Sequence, residues 1–199
     1  KGLIGGYVNI PVLKDVSFDV GDGQLVGLSG LNGAGKSKTI NEIIGLFTPY
    51  QGEILIDGLS LKSDRPAYRK KIGFIPETPS LYEELTLKEH IEMVAMAYDI
   101  EPQIAMDRVD NLLQIFRLKD KLDWFPVNFS KGMKKQVMFI LALSIMPEYL
   151  IMDEPFDGLD PNVRKIIWDI LIQDVSERQM TIFISSHHLN ELDSMCDHI

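Results

Sequence analysis

The chain has 199 residues, 45% of them hydrophobic and 25% charged, with a formal net charge of −9 at pH 7. That length and balance fit one globular domain, or one with subdomains, able to bury most of its surface, and the acidic excess argues against a chain-wide nucleic-acid footprint. Cys196 is the one cysteine, which excludes an intrachain disulfide and fits a reducing compartment.

Residues 1–58 read as β-rich. Val16, Phe18 and Val20 alternate with Asp15, Ser17 and Asp19, the period of a half-buried strand. Gly21-Asp22-Gly23 predicts a turn, and Leu25-Val26-Gly27-Leu28 a buried strand running into Gly30-Leu31-Asn32-Gly33-Ala34-Gly35-Lys36-Ser37. Ile40, Ile43, Ile44 and Phe47 then fall on one helical face, with Pro49 just beyond. Glu53-Ile54-Leu55-Ile56 predicts another strand closed by Asp57-Gly58, a hairpin signal. Arg69-Lys70-Lys71 reads more readily as a solvated face than as a binding patch, and Ile72-Gly73-Phe74-Ile75 is a short strand ended by Pro76.

Between residues 80 and 147 glycine nearly vanishes and helical period takes over. Thr86-x-x-Glu89 is a capping box ahead of Leu87, Ile91, Val94, Ala95 and Tyr98. Ala105, Val109, Leu112, Leu113 and Phe116 mark a second helix, and Val137, Ile140, Leu141 and Ser144 a third. The longest apolar run, Val137 to Met146, is about half a membrane span and predicts a buried helix. Tyr149-Leu150-Ile151-Met152 is apolar throughout, as strands buried on both faces are, and ends in Asp153-Glu154. Asp160-Pro161 offers an N-cap and first-turn proline for a helix bearing Ile166, Ile167, Ile170 and Leu171. Thr181-Ile182-Phe183-Ile184 is a further buried strand, ending in Ser185-Ser186-His187, and Cys196 shares helical spacing with Leu189 and Leu192, a core position. No leader pattern is read at the start, and neither Lys1 nor Ile199 reads as a natural terminus, which predicts a truncated chain.

The chemistry gathers where these elements end. Strand, glycine-rich turn and helix in that order make Gly30–Ser37 a phosphate-binding loop. Its glycines let successive N–H groups face an anion, and the helix that follows adds its positive end. Lys36 reaches the β- and γ-phosphates, and the Ser37 hydroxyl is a Mg²⁺ ligand. In open parallel sheets ligands bind beyond the carboxyl ends of strands, which is where Asp153, Glu154 and His187 stand. Asp153 suits a water-mediated Mg²⁺ contact, Glu154 a proton acceptor for an attacking water, and His187 a donor to the γ-phosphate. Taken alone, Asp-Glu after a strand is more often a helix cap or surface pair. The phosphate loop reverses that balance.

These residues resemble the motifs of the nucleotide-binding subunits of ABC transporters, in family order and over nearly the whole chain. Gly30–Ser37 resembles Walker A, and Glu77 stands at the place of the Q-loop glutamine. Phe129-Ser130-Lys131-Gly132-Met133 resembles the LSGGQ signature, and Leu150–Glu154 resembles Walker B with its catalytic glutamate. Gly158-Leu159-Asp160-Pro161 resembles the D-loop, Ser185-Ser186-His187 the histidine switch, and Tyr7 the aromatic residue that stacks on adenine. Without the family argument, a lone aromatic such as Tyr7 reads as packing. Ile75–Pro79, Trp124-Phe125-Pro126 and Phe129–Lys134 further resemble the Ecs-type bacterial subfamily.

The resemblance implies an α/β P-loop NTPase of ABC type. Its RecA-like core carries an antiparallel β subdomain and an inserted α-helical subdomain: residues 1–79 hold the β subdomain and first part of the core, 80–147 the helical insertion with the signature, and 148–199 the rest. It also implies binding and hydrolysis of Mg²⁺-ATP in a head-to-tail dimer with a second copy or a homologous ATPase subunit, coupled to an integral-membrane permease. No nucleic acid is expected, and the location is cytoplasmic, peripheral on the inner face of the membrane through the permease.

Carried over position by position, Tyr7, Gly30, Leu31, Asn32, Gly33, Ala34, Gly35, Lys36, Ser37, Lys38 and Thr39 bind nucleotide. Ser130, Gly132, Met133 and Asp160 complete the site across the dimer, with Ser130 at a helix N-terminus. Ser37, Glu77 and Asp153 serve Mg²⁺, and Glu154, His187 and Lys36 are catalytic. The permease would dock near Glu77 to Glu92, with Leu81, Tyr82 and Leu85 read equally as contacts or as ordinary helix-start packing.

Departures from the family pattern carry their own expectations. Lys38 stands where the family has Thr, whose hydroxyl contacts the α-phosphate, and Thr39 lies one position late, about 100° round the helix. Lys38 either offers charge to the α-phosphate or points to solvent, which leaves nucleotide affinity open. Glu77 is a carboxylate in place of a neutral amide, able to ligate Mg²⁺ but repelling phosphate without it. Lys131 and Met133 depart from the signature, whose backbone geometry rests on Ser130 and Gly132. The alternative is a soluble ABC-type ATPase acting in translation or DNA repair, which predicts a second cassette, a coiled-coil insertion or a basic interface; this sequence carries none. A third reading, ATP as a structural ligand only, is disfavoured by the intact Asp153, Glu154 and His187.

Overall fold

The computed structural model describes residues 2–7, 10–31 and 33–199, with side chains described for all of these except 6, 7, 10–12, 14 and 191. The chain forms two compact units: Lys1–Phe74 with Glu148–Glu154 and Asp174–Ile199, and Ile75–Pro147 with Pro155–Gln173.

In the first unit, β1 (Leu3–Tyr7) and β2 (Ile10–Val16) form an antiparallel ribbon in which Gly5 faces Leu13. A four-stranded sheet follows, built from β3 (Leu25–Ser29), β4 (Ile72–Ile75), β5 (Tyr149–Asp153) and β6 (Thr181–Ser186) in the order β3-β6-β5-β4. All residues of β6 are buried, as the uninterrupted apolar run predicts. It runs parallel to β3 on one side and β5 on the other, pairing Ser29 with Ser186 and Asp153 with Ser185. That register brings three strands to their carboxyl ends at one level. The helices of this unit are α1 (Lys36–Ile43), α2 (Arg65–Lys70) and α7 (Leu189–Met195).

Ile40 and Ile43 of α1 pack with Ile56, Tyr68, Ile72, Ile151 and Phe183 in one buried cluster. Each such side chain contributes roughly 1.5–3 kcal/mol by leaving water. Tyr68 is fully buried, so its hydroxyl must find a partner, and it donates to the Ile43 carbonyl at 2.6 Å. This tyrosine ties α2 to the end of α1. Cys196 caps α7, half-buried, and its thiol is pushed up to about 11 by burial, with Asp197 adding to the shift.

Several local expectations are corrected. The strand expected over 15–20 stops at Val16, with Asp15 at φ +52° breaking the extended path. Phe18 instead stacks on Phe183, centroids 5.4 Å apart. Glu53–Ile56 joins no ladder; only the tight turn survives, with Ile56 and Leu59 exchanging both backbone hydrogen bonds at 2.9 Å. Asp57 and Gly58 both have positive φ there, the conformation that two-residue hairpin turns require. Helix α1 ends at Ile43 rather than reaching Phe47, because Gly45 turns left-handed at φ +76°. Arg69, in the run read as a solvated face, donates to the Gly45 carbonyl at 2.8 Å and so closes that turn.

The second unit is helical. It holds α3 (Leu87–Ala97), α4 (Pro102–Ile115), α5 (Lys131–Ser144) and the larger part of α6 (Pro161–Arg178). Leu87, Ile91 and Ala95 of α3, Val109 and Leu113 of α4, and Val137 and Ile140 of α5 are buried at the spacings expected. Phe156 packs between Phe139, at 5.9 Å, and Trp168, at 4.8 Å. Among the described residues no helix is long and apolar enough to cross a membrane.

Candidate nucleotide site

The phosphate loop leaves β3 at Ser29 and enters α1 at Lys36. Gly33 and Gly35 have φ of +83° and +99°, a region glycine enters without the Cβ penalty. Gly35 is the N-cap of α1, so no side chain caps the first turn. The orphan N–H groups of that turn are therefore left for an anion. Lys36 is buried, donating from Nζ to the Gly30 carbonyl at 2.6 Å and lying 3.5 Å from Oε1 of Glu154. Ser37 is half-buried, and the exposed Leu31 accepts from the Ala34 N–H at 3.1 Å. Asn32 lies outside the described residues, as does the side chain of Tyr7.

The ends of β5 and β6 supply the rest. Asp153 and Glu154 are buried, at 6% and 7% exposure. The Ser185 hydroxyl donates to Oδ1 of Asp153, and the Glu154 N–H is shared between the Ser185 carbonyl and its hydroxyl oxygen, each at 3.2 Å. Glu154 sits at φ +43°, left-handed for a residue with a side chain, which costs roughly 1–2 kcal/mol. Its Oε2 accepts from the His187 N–H at 3.2 Å and lies 2.9 Å from His187 Nδ1. With Nδ1 donating to that carboxylate, Nε2 is directed elsewhere. The donors present, a half-buried hydroxyl at Ser37 and a buried carboxylate at Asp153, are hard oxygen ligands of the kind Mg²⁺ takes.

Lys38 takes neither expected position. It is 4% exposed, its Nζ lying 3.5 Å from Oε1 of Glu42 and 4.1 Å from the centre of the Phe47 ring. Thr39 donates its hydroxyl to the Gly35 carbonyl at 3.0 Å. Burial raises the Glu42 carboxyl above its ordinary range, and Lys38 pulls it partly back.

The other expected site residues belong to the second unit. Ser130 is the N-cap of α5 and accepts from the Met133 N–H at 3.2 Å, the capping expected of a serine there. A Cβ added to Gly132 would lie 3.9 Å from the Gly158 carbonyl, so the signature turn and the turn before Asp160 pack together. Asp160 is exposed and accepts from the Asn162 N–H at 2.8 Å. Glu77 is exposed in a bend just after β4.

Two further residues belong here. Ser185 falls in the histidine motif, and a hydroxyl near the end of an otherwise apolar strand signals an internal partner. Glu42 lies four residues beyond Lys38 on a helix and is hence its neighbour.

The family model described as ABC transporter matches residues 13–157. The ABC-type transporter ATP-binding protein EcsA of Bacillus subtilis (strain 168) is 46% identical over 99% of this chain and 79% of its own length. A solved structure of an ATP-binding subunit of an ABC transporter superposes with TM-score 0.94 at 44% identity, covering 100% of this chain and 83% of that one. An ATP-binding cassette solved as a dimer in a post-hydrolysis state, with ADP and Pi bound, gives TM-score 0.84 at 26% identity over 96% of this chain and 88% of its own.

Proposed function

This chain belongs to the ABC transporter family as an ATP-binding subunit with ATPase activity, and from that premise we propose that it hydrolyses Mg²⁺-ATP in a head-to-tail dimer to drive a membrane permease. The observation that carries the reading is the meeting of Lys36, Asp153, Glu154 and His187 at the ends of three adjacent strands.

Each residue has work its surroundings suit. The phosphates of ATP draw Lys36 from the Gly30 carbonyl, since an ammonium binds an anion more strongly than a neutral carbonyl, and from Glu154, since the triphosphate carries several negative charges against one. The α1 N–H groups hold the same phosphates in place. Ser37 and Asp153 would hold Mg²⁺, which would supply charge neutralisation at the γ-phosphoryl group, and Glu77 is assigned to the same ion by resemblance. Glu154, once released by Lys36, accepts a proton from the attacking water. His187, oriented through Nδ1 by Glu154, presents Nε2 to the γ-phosphate. Phosphoryl transfer asks mainly for this positioning and charge compensation.

Ser130, Gly132, Met133 and Asp160 complete the site of a second copy or homologous ATPase, with Ser130 at the N-terminus of α5. The dimeric relative with ADP and Pi supports that arrangement. Tyr7 is assigned to adenine by resemblance. Exposed Tyr82, with Leu81 and Leu85, offers apolar surface to a permease, which would hold the subunit on the cytoplasmic face of the membrane. A relative named as part of an ABC transporter complex supports a permease partner. Transport is favoured over a role in translation or DNA repair because the relatives are named as transporter or export ATP-binding proteins.

The test is Glu154→Gln. Removing a general base of this kind lowers turnover by about 10²–10⁴-fold. The variant should elute as a dimer with ATP and Mg²⁺ on gel filtration while phosphate release is lost. A variant that stays monomeric under those conditions defeats the composite site, and one that keeps its turnover defeats the role of Glu154.

A further inference from the structure

We infer that Glu42 is a positioning residue that sets nucleotide affinity by holding the Lys38 ammonium inside the first unit, away from the phosphate loop. The inference rests on the nucleotide-binding reading above.

Lys38 lies in the first turn of α1, the turn whose N–H groups face the phosphates. A lysine there is repelled by the positive end of the helix and attracted by any bound anion. An unrestrained ammonium on a four-carbon stem would therefore reach toward the phosphates. The structure shows the opposite arrangement, with the ammonium buried between Glu42 and the Phe47 ring.

Glu42 is fully buried, and neither of its carboxylate oxygens has a hydrogen-bond partner among the described residues. Lys38, one turn back on the same face, is its counter-charge at 3.5 Å. The site is closed from above by β1: a Cβ added to Gly5 would fall 1.9 Å from Oε1 of Glu42. The pair is thus an enclosed one, and breaking it leaves an uncompensated buried charge. Thr39, whose hydroxyl is bonded to the Gly35 carbonyl, does not replace the absent hydroxyl at position 38. The phosphates are left to Lys36, Ser37 and the backbone.

The test measures Kd for a fluorescent ADP analogue with Mg²⁺. Glu42→Leu keeps the volume and removes the counter-charge, so the Lys38 ammonium cannot stay desolvated. Binding should tighten by about tenfold, the size of one charge-assisted hydrogen bond, and adding Lys38→Met should abolish the gain. Glu42→Gln, which preserves the shape, should shift Kd the same way by less and serves if the leucine variant does not fold.

A folded Glu42 variant with no gain, or with the same change whether or not Lys38 is present, overturns the inference. Wild-type protein that fails to bind the analogue overturns it together with the nucleotide-binding reading. Wild-type binding abolished by Lys36→Ala, combined with no gain from Glu42 variants, overturns the role of Glu42 alone.

Discussion

Ser185 carries no charge, yet its hydroxyl donates to the Asp153 carboxylate while its oxygen receives the Glu154 backbone N–H, so one side chain ties both residues at the end of β5. Ser185→Ala takes the hydroxyl donor from buried Asp153 and leaves the Glu154 N–H to the backbone carbonyl of residue 185 alone, a loss of about 1–3 kcal/mol. Thermal unfolding should register that loss, and phosphate release should fall by about tenfold or more while ADP affinity changes little. Equal losses in binding and turnover would mean that Ser185 serves stability alone. At this scale the sequence is legible where a residue type has one use: a lysine ending a glycine-rich loop, or an acidic pair ending an apolar strand. It is illegible where a charge has two destinations. The sequence offers Lys38 phosphate or solvent, and the structure sends it to Glu42, because Gly5 leaves room for a carboxylate that an ordinary strand residue would displace.

Among the elements, α3 shows how local chemistry makes a boundary. The Thr86 hydroxyl oxygen accepts from the Glu89 N–H at 3.2 Å, and the Glu89 carboxylate accepts from the Thr86 N–H at 2.7 Å. Buried His90 reinforces the corner: Nδ1 donates to the Thr86 carbonyl at 2.8 Å and Nε2 accepts from the Tyr82 N–H at 2.9 Å. Thr86→Ala should lower unfolding stability by about 1 kcal/mol, seen as a lower urea midpoint with an unchanged m value. Such caps are visible in sequence because both partners lie within one turn. Strand pairing is not, because an apolar run or an alternation says nothing about its neighbour. The run at 53–56 has the composition of a strand and joins no ladder among the described residues, while β6 is held on both sides.

For the whole molecule, the proposed dimer makes each ATP site a joint product of two chains. Lys36→Ala and Ser130→Arg should each be inactive alone. Mixed, they should recover about a quarter of wild-type hydrolysis, because random pairing makes half the dimers mixed and each mixed dimer keeps one intact site. Recovery of none, in a mixture shown to exchange subunits, would place both halves of the site in one chain. The sequence predicts a helical insertion over 80–147; the helical unit comprises Ile75–Pro147 and Pro155–Gln173. Helix α6 runs unbroken through that boundary at Gln173, and no change of periodicity marks it. The strand that feeds the phosphate loop also imposes an order on synthesis. β3 pairs with β6 on one side, and on the other Gly27 donates to the His198 carbonyl at 2.8 Å. Both partners lie far downstream, so the first motif to leave the ribosome is among the last to be locked. Loop closure over that separation is slow, and until it happens β3 remains an open edge that a neighbouring nascent chain can pair with.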